Sequence, residues 1–354
     1  MEQRSAKADK PGWLAFTVLR SDPLVTFSTI DTGRICLNTI LEEVPAIAEA
    51  PKALHLLRPT WHFERTDTIE LAREITRARA LVPRHHFLFL ANYDWEASLV
   101  ARTGIPAITA NDGIFSDGSI WHPLAHSAPA SEQHGAVYNA RLEPVKRHEL
   151  ARSISRPLLI YAKSVETDTD ADMNRVRSIL PDAIFANHHF SGDRYQILDR
   201  KEVNRLYSLA RVGLALSAEE GAMRASSEYL LAGLPIVSTH SIGGRDRYYG
   251  FPFVQIVPED PAAVAAAVTM LGERHFDRHR IRNAFLQVQA FDRHNVLAAI
   301  NRAGRTLLET GPLLTDFTPL VDAMGLFMPL DNCISRTRFL LANQKHADED
   351  LGGA

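Results

Sequence analysis

The sequence is poor in cysteine and has no long apolar run. Only Cys36 and Cys333 occur in 354 residues, so a disulfide scaffold is not indicated and a reducing compartment is expected. The polar N-terminal stretch MEQRSAKADKPGW lacks the apolar centre that a signal peptide needs. Without a run of about 18 apolar residues, no transmembrane helix is predicted. We expect a soluble, cytoplasmic protein, for which peripheral contact with a membrane stays open.

Neither sign of charge is in excess, because the formal net charge is −3 at pH 7. Bulk composition therefore predicts no polyanion-binding surface, and we expect no nucleic-acid partner. Four short motifs are also absent: a Cys-x-x-Cys pair, a Gly-x-Ser-x-Gly elbow, a Gly-x-x-x-x-Gly-Lys phosphate loop and Gly-x-Gly-x-x-Gly. These absences argue against a zinc site, serine-hydrolase chemistry, a P-loop and a dinucleotide oxidoreductase.

Short apolar runs alternate with helical patterns along most of the chain. WLAFTVL, ALHLLRP, HFLFLANYDW and IPAITANDG are predicted strands of the first half, and PLLIYAKSV begins a second half near Pro157. Strands that alternate with helices indicate parallel sheets, and the length suits two α/β domains. We predict a first domain over residues 1–152, a second domain over 153–330, and a C-terminal helix and tail over 331–354.

One stretch, SAEEGAMRASSEYLLAGLPIVST at 217–239, carries most of the functional signal. RVGLALS, which leads into it, is a predicted buried strand, Gly221 opens a loop, and SEYLLAG is a short helix that ends at Gly233. With the strand that follows, this unit is a parallel-sheet crossover. Ligands bind at the carboxyl ends of such strands, where a helix N-terminus favours anions.

Glu220 and Glu228 stand eight residues apart in this unit, in the loop and near the first turn of the helix. Two carboxylates repel a bare phosphate, but they accept hydrogen bonds from hydroxyl groups. A nucleotide sugar meets both conditions, because the carboxylates can hold its hydroxyls while backbone N–H groups hold its diphosphate. The glutamate spacing alone is unspecific, so the order of the surrounding residues carries the argument.

The wider stretch resembles the Glu-x7-Glu signature of family-4 retaining glycosyltransferases, which have the GT-B fold. The residues that carry the resemblance are, in order, Ser217, Glu220-Gly221, Glu228, Gly233-Leu234-Pro235, Thr239 and Gly243-Gly244. The resemblance implies two Rossmann-like parallel-sheet domains that face a cleft, with the C-terminal helix crossing back to the first domain. It also implies a hexosyltransferase-type enzyme of polysaccharide or glycoconjugate biosynthesis. Such an enzyme moves a sugar from a nucleotide-diphosphate sugar with retention at the anomeric carbon.

The resemblance further implies a role for each residue of the stretch. Glu220 is expected to face the donor sugar and Glu228 the ribose hydroxyls, while Lys163 is expected to stabilise negative charge on the diphosphate. The other residues expected to bind the donor are Gly221, Ala222, Met223, Arg224, Ser227, Gly243 and Gly244. No cofactor and no divalent metal are expected. The expected acceptor is a sugar, a lipid-linked molecule or another small molecule.

The resemblance extends into the first half of the chain, with a departure. The stretch ANYDWEASLVARTGIPAITANDG is similar to a family region that contains histidines, and the residues that match are Asp94, Trp95, Gly104, Pro106, Thr109 and Asp112. Tyr93 and Asn111 stand where the family has those imidazoles. Both side chains can still form hydrogen bonds to a sugar hydroxyl. Together with Asp112, they are our candidate acceptor-side residues.

A second departure concerns the cations that hold the diphosphate. After the first strand of the second domain, the family has Gly-Arg and a lysine five residues later. We match this strand with PLLIYAKSV, so that Lys163 replaces the arginine and Asp168 stands at the lysine position. One diphosphate cation is then missing, and Arg224 is a candidate substitute.

Two other constellations compete with this assignment. Asp168, Asp170 and Asp172 follow a predicted strand at alternate positions, a spacing that can hold Mg²⁺ or Mn²⁺ on a diphosphate, although acidic residues also suit a helix N-terminus. His275 and His279 have the spacing of one helix face, but neighbouring arginines disfavour a cation there.

Three alternative functions stay open. They are a metal-dependent nucleotide-sugar transferase that uses Asp168, Asp170 and Asp172, a nucleotide-sugar epimerase of the same fold, and a non-catalytic nucleotide- or carbohydrate-binding relative.

Overall fold

The computed structural model describes residues 13–30, 37–124, 133–163, 169–189 and 194–351. The chain forms two compact units. The first contains Met1–Asn111 and Asp292–Ala354, and the second contains Asp112–Phe291. Each unit is built on a six-stranded sheet with helices. The predicted class of two parallel-sheet α/β domains is thereby confirmed, whereas the cleft between them stays a prediction.

The strands of the described residues alternate with helices for most of the chain. In chain order the strands are β1 (Trp13–Ser21), β2 (Leu24–Ile30), β3 (Ala53–Pro59), β4 (His85–Ala91), β5 (Ala107–Thr109), β6 (His134–Asn139), β7 (Leu158–Ile160), β8 (Ile184–Phe185), β9 (Ala210–Ala215), β10 (Glu219–Glu220), β11 (Ile236–Thr239), β12 (Ile242–Gly243), β13 (Val254–Val257) and β14 (Phe327–Pro329). The helices are α1 (Leu37–Glu43), α2 (Pro45–Ala48), α3 (Arg65–Leu81), α4 (Asp94–Ala101), α5 (Thr169–Ile179), α6 (Ala186–His189), α7 (Arg200–Leu209), α8 (Arg224–Leu231), α9 (Pro261–Glu273), α10 (Arg278–Ala303), α11 (Thr318–Ala323) and α12 (Leu330–Leu351).

The sheet of the first unit has the strand order β14-β1-β2-β3-β4-β5. The strands from β2 to β5 are parallel, and β1 is antiparallel to both of its neighbours. All seven residues of β3 are buried, as expected for the apolar run ALHLLRP in the middle of a parallel sheet. Helix α12 packs on β1, where the buried free thiol of Cys333 lies 3.5 Å from Leu14 O.

The sheet of the second unit has the order β13-β11-β9-β6-β7-β8 and is parallel at every pairing. The run RVGLALS forms β9, as predicted. Gly213 in this strand faces the ring of Tyr229, since a Cβ there would lie 2.4 Å from a ring atom. Helix α8 ends just before Gly233, whose φ of 76° is the left-handed conformation that closes many helices.

The division into units differs from the predicted boundaries at residues 152/153 and 330/331. Strand β6 lies between β9 and β7, so residues from 134 onwards already belong to the second sheet. Its short run HGAVYN follows a stretch rich in turn residues, so the sequence pattern does not predict a strand there. The chain returns to the first unit within α10, after Phe291. Within the described ranges, no helix is both long and apolar enough to cross a membrane.

Candidate active site

Three loops meet at the carboxyl edge of the second sheet, because β6, β9 and β11 are adjacent and parallel. These loops carry most of the residues predicted to bind the donor. Backbone hydrogen bonds tie the loops together. Ala218 N donates to Val145 O at 2.9 Å, and Ile242 N donates to Ala218 O at 2.9 Å. The loop after β9 is therefore fixed to the loops on both sides.

A buried ion pair joins two of these loops. Lys146 Nζ lies 2.5 Å from Glu220 Oε1, and each side chain is only 9% exposed. Tyr138 OH donates to the backbone carbonyl of Lys146 at 2.6 Å. Burial, and then the nearby Glu220 charge, raise the pKa of Tyr138, which keeps its phenol protonated as a donor. A carboxylate and an ammonium thus face each other where the parallel sheet binds ligands.

The backbone of Glu220 is held by a second, short ladder. Strand β10 pairs with β12, so that Glu220 lies opposite Gly243. Gly244 N donates to Gly221 O at 2.9 Å and also lies 3.2 Å from Glu220 O. The φ of Gly243 is 105°, a conformation that favours glycine. The structure therefore brings together four residues that the sequence analysis assigned to the donor site.

Two arginines that sequence reasoning missed bind the ends of β9 and β11. Arg147 Nε donates to Leu216 O at 2.6 Å, and its Nη2 donates to Ser217 O at 3.0 Å. Arg245, which is 2% exposed, donates to Ser217 O at 2.6 Å and to Thr239 O. These cations satisfy carbonyl groups that would otherwise present negative dipole ends to an anionic ligand at this edge.

Helix α8 carries the second predicted glutamate in a buried position. Glu228 is 8% exposed, and Tyr207 OH donates to its Oε2 at 2.9 Å. Asn139 Nδ2 in turn donates to Tyr207 OH at 2.6 Å. Burial raises the pKa of Glu228, while the charge of Arg224 acts in the opposite direction. This chain of hydrogen bonds, which begins at the end of β6, holds the carboxylate in one orientation.

The N-terminus of α8 contains the remaining predicted donor-site residues. Ala222 and Met223 precede the helix, and Arg224 is its first residue. Ser227 Oγ donates to Arg224 O at 2.7 Å and lies 2.8 Å from Ser116 Oγ. The Arg224 Nε is buried without a hydrogen-bond partner. The Ser227 hydroxyl is therefore engaged within the protein, whereas the Arg224 guanidinium retains a donor.

Lys163 lies apart from the loop that carries Glu220. It follows β7, which is separated from β9 by β6. Its side chain is 46% exposed, with Nζ 3.5 Å from Asp170 Oδ1 and 5.2 Å from the centre of the Tyr195 ring. The structure thus gives Lys163 an exposed carboxylate partner, in contrast to the buried pairing of Lys146 with Glu220.

The strand that was matched to the family's cation pattern, and that leads to Lys163 and Asp168, is β7, which is not the first strand of the second sheet in chain order. The first strand of the second sheet in chain order is β6, and the spacing is present in the loop that follows it: Arg141, then Lys146 five residues later. Arg141 is exposed, with Nη1 3.4 Å from Glu143 Oε1. Asp168 lies outside the described residues. The roles of Lys163 and Arg224 toward a diphosphate stay predictions.

The three acceptor-side candidates lie at two neighbouring strand ends. The Tyr93 ring, after β4, is 6.1 Å from the ring of Trp95, which is 56% exposed. Asn111, after β5, is buried, and its Nδ2 donates to Asn92 O at 2.8 Å. Asp112 is buried and is the first residue of the second unit. Their role toward an acceptor stays a prediction.

The aspartates of the alternative metal site form the start of a helix. Asp170 and Asp172 lie in the first turn of α5, while Asp168 is outside the described residues. Lys163 Nζ lies 3.5 Å from Asp170, and an Arg175 nitrogen lies 3.4 Å from Asp172. Both described carboxylates therefore have cationic partners, and a helix N-terminus accounts for their position.

The histidine pair at positions 275 and 279 is not on one helix, contrary to its spacing. Helix α9 ends at Glu273 and α10 begins at Arg278, so His275 lies in the connection and His279 in the next helix. The φ of His275 is 44°, a left-handed conformation that interrupts helical geometry. The i, i+4 argument for a shared metal therefore does not apply.

Comparison with known proteins gives the fold of the chain. The sequence matches no protein-family profile and no curated protein. A solved glycosyltransferase from Rickettsia africae ESF-5 is similar with a TM-score of 0.53 and 12% identity, over 77% of this chain and 82% of that one. A structure described as trehalose-6-phosphate from E. coli bound with UDP-2-fluoro glucose has a TM-score of 0.52 and 13% identity, over 73% and 76%.

An α,α-trehalose-phosphate synthase (UDP-forming) from Burkholderia xenovorans, in complex with glucose-6-phosphate, is similar with a TM-score of 0.50 and 10% identity. The alignment covers 77% of this chain and 73% of that one. At such low identities the likeness establishes the fold alone. The chain has the α/β fold of GT-B glycosyltransferases, in agreement with the expectation from the sequence.

Proposed function

We propose that this protein is a retaining glycosyltransferase that moves a hexose from a nucleotide-diphosphate sugar to an acceptor, without an obligatory divalent metal. The observation that carries the proposal is the buried Lys146–Glu220 pair at the carboxyl edge of the second sheet. Glu220 stands eight residues before Glu228. Ligands of open parallel sheets bind at this edge. Two neighbours support a nucleotide-sugar donor, since one is a UDP-forming synthase and another is bound with UDP-2-fluoro glucose.

Lys146 and the first amides of α8 are the proposed binding groups for the diphosphate. A helix N-terminus favours anions, and an ammonium adds a full positive charge. Because Lys146 Nζ is 2.5 Å from Glu220, the arriving diphosphate competes with Glu220 for the same cation. Lys146 remains charge-compensated throughout this exchange. The Glu220 carboxylate then becomes available for a hydroxyl of the donor sugar.

Glu228 is the proposed acceptor of hydrogen bonds from the ribose. Its carboxylate is already oriented by Tyr207, at 2.9 Å, and Tyr207 is oriented by Asn139, at 2.6 Å. A group that is ordered before the ligand arrives loses less conformational freedom on binding. This pre-organisation supports a role for Glu228 in affinity for the nucleotide rather than in the chemical step.

Retention at the anomeric carbon needs no protein base on the far face of the sugar. In a front-face mechanism the leaving phosphate oxygen takes the proton from the acceptor hydroxyl. The protein then has two tasks, which are to stabilise negative charge on the departing diphosphate and to position both substrates. Lys146 suits the first task, because it is a cation held in a largely water-excluded site, where charge stabilisation is strongest.

Independence from metal follows from the same assignment, because protein donors replace the cation. Activity should therefore survive exhaustive treatment with EDTA. Complete loss of activity that Mn²⁺ restores would contradict this part of the proposal. It would move the diphosphate site to the aspartates at 168, 170 and 172.

A two-step experiment tests the proposed function. Thermal unfolding is first measured with UDP, ADP, GDP and their sugars, since a ligand at 100 times its Kd should add about 2.7 kcal/mol of stability. Donors that stabilise the protein are then incubated with sugar acceptors, and proton NMR reads the anomeric configuration of the product. A product with the donor's configuration is expected. Inversion, conversion of the donor without acceptor, or binding without any turnover would each contradict the proposal.

A further inference from the structure

Arg147 adopts a backbone conformation that is unusual for a residue with a side chain. Its φ of 52° and ψ of 47° lie in the left-handed region. Strain of this kind persists only where surrounding contacts over-determine it, and it is frequent at functional sites. Arg147 directly follows Lys146, whose ammonium lies 2.5 Å from Glu220. The strained residue is thus adjacent to the central cation of the candidate active site.

The side chain of Arg147 supplies the contacts that hold this conformation. The side chain is only 13% exposed, and its guanidinium binds the loops after β9, β11 and β13. Its contacts are Leu216 O at 2.6 Å, Ser217 O at 3.0 Å, Thr239 Oγ1 at 2.8 Å, His240 O at 2.9 Å and Glu259 Oε1 at 2.6 Å. One side chain therefore links the loop after β6 to three other strand ends.

Lys146 lies between fixed points on both sides. The carbonyl of Val145 accepts from Ala218 N at 2.9 Å, and the carbonyl of Lys146 itself accepts from Tyr138 OH at 2.6 Å. Arg147 fixes the chain on the other side. A lysine side chain has many rotamers, so holding its ammonium on one carboxylate requires a rigid backbone. The contacts of Arg147 complete that rigidity.

We infer that Arg147 is a positioning residue, whose left-handed backbone and guanidinium contacts direct Lys146 Nζ onto Glu220 in the free protein and onto a diphosphate in the bound one. The placement of Lys146 on Glu220 concerns the protein alone. Its placement on a diphosphate rests on the proposed function, so the two placements are tested by separate measurements.

Three variants separate positioning from general stability. Arg147→Gly relieves the left-handed strain but removes every guanidinium contact. Arg147→Lys keeps a charge and a long stem but loses the planar fork that spans several acceptors. Arg156→Gly is the matched control, because Arg156 also has a positive φ, of 46°, and lies in the same unit, yet it is exposed and stands before β7.

The first measurement is the reactivity of the Lys146 amine. Amine acylation followed by mass spectrometry gives its reaction rate, with the exposed Lys52 as the internal standard. Arg147→Gly should raise the relative rate at Lys146 by about tenfold or more, the factor that corresponds to 1.4 kcal/mol. Arg147→Lys should raise it by less, and Arg156→Gly should leave it unchanged. If Arg147→Gly does not fold, Arg147→Lys carries the test.

The second measurement is the affinity for nucleotides. Isothermal titration with UDP, ADP and GDP should show a Kd that is about tenfold or more weaker in Arg147→Gly, with no change in Arg156→Gly. An unchanged acylation rate at Lys146 in the Arg147 variants overturns the inference, whatever the nucleotides do. If acylation rises but wild-type protein binds none of the three nucleotides, the positioning role stands and the proposed function fails. If wild type binds and the Arg147 variants bind equally well, the link to the diphosphate is overturned.

Discussion

The carboxyl edges of the two sheets are stabilised by opposite charges. In the first unit the fully buried Glu96 accepts from Phe63 N at 2.6 Å and from Asn92 N at 2.5 Å, and so ties the loops after β3 and β4. In the second unit Arg147 and Arg245 donate to carbonyl groups at the ends of β9 and β11. One edge uses an anion that binds amides, and the other uses cations that bind carbonyls.

The cations of the second edge also have carboxylate partners. The pairs are Lys146–Glu220, Arg147–Glu259 and Arg245–Asp246. A cation can exchange one anionic partner for another and stay charge-compensated itself, whereas a carboxylate that holds two backbone amides keeps a fixed loop. The same edge of an α/β sheet can therefore be held rigid by an anion that binds amides, or carry cations that are able to change partners. We expect the anionic ligand at the second edge.

The largest effect is expected from breaking the buried pair at that edge. Lys146→Met should lower the free energy of unfolding by about 3–5 kcal/mol, because Glu220 becomes an uncompensated buried charge. The double change with Glu220→Gln should cost less than Lys146→Met alone, since neither charge then remains. Denaturant unfolding of the two single variants and the double variant measures this. A cost below about 1 kcal/mol for Lys146→Met, typical of an exposed pair, would contradict the burial of the pair.

A somewhat smaller effect is expected from the anion of the first edge. Glu96→Gln preserves the shape of the side chain, but its amide nitrogen cannot accept from a backbone N–H. One of the two backbone amides is then left without an acceptor and the other has only a neutral one, so the free energy of unfolding should fall by about 2–3 kcal/mol. Glu70→Gln, at an exposed position on α3, is the control and should be neutral. Equal stability of the two variants would remove the contrast between the edges.

Buried histidines sharpen the comparison between the units. In the first unit His55 Nδ1 is 2.7 Å from Thr26 Oγ1, His55 Nε2 is 3.0 Å from His85 Nδ1, and His85 Nε2 is 2.9 Å from Ala50 O. Because a carbonyl only accepts, His85 donates to Ala50, His55 donates to His85, and Thr26 donates to His55. In the second unit neither ring nitrogen of His148 has a hydrogen-bond partner.

The same substitution should therefore have different costs in the two units. His55→Leu leaves a buried hydroxyl and a buried imidazole nitrogen unpaired, so the free energy of unfolding should fall by about 2 kcal/mol or more. His148→Leu loses no hydrogen bond, and its cost should stay below about 1 kcal/mol. Urea unfolding of both variants measures the difference. Equal costs would show that the hydrogen-bond chain of the first unit contributes nothing to stability.

An effect of pH is expected on the same two histidines. Burial is the main reason that the pKa of each is lowered from 6.5 to about 3. The unfolded chain binds protons at these sites below pH 6.5, and the folded protein does not until about pH 3. Stability should therefore fall as pH drops through this window, by up to about 1.4 kcal/mol per pH unit for each histidine.

His148→Leu isolates the contribution of His148 to the pH dependence of stability. The slope of unfolding free energy against pH, measured between pH 6.5 and about pH 5, should become shallower in this variant than in wild type. The difference between the two slopes removes the contribution of carboxylates that titrate in the same range. Identical slopes would contradict the depressed pKa of His148.

The fold was largely predictable because parallel strands leave continuous apolar runs. The runs ALHLLRP and RVGLALS form β3 and β9, and Gly233 closes α8 in the predicted place. Strand β6 was not predictable in the same way, since its six residues follow a turn-rich stretch and lack a long apolar run. Without β6, the sequence places the start of the second domain near Pro157 and gives no reason to consider Lys146, which follows β6.

The candidate site was predictable only where the residues are close in sequence. Glu220, Gly221, Gly243 and Gly244 belong to one crossover unit, and the structure brings them together. Lys146 is separated from Glu220 by 74 residues, so only the pairing of β6 with β9 makes them neighbours. No local sequence pattern predicts such a contact.

Isothermal titration of a nucleoside diphosphate into wild type, Glu228→Ala and Glu220→Ala tests whether the second edge binds a nucleotide through Glu228. UDP, ADP and GDP serve as probes. Wild type should bind at least one of them, and Glu228→Ala should bind it more weakly by about 1.5–3 kcal/mol, the value of a hydrogen bond to a charged group. Glu220→Ala should bind it no more weakly than wild type, because Lys146 loses only a competitor of the diphosphate. No binding by wild type, or binding by Glu228→Ala that equals wild type, would contradict the proposed nucleotide site.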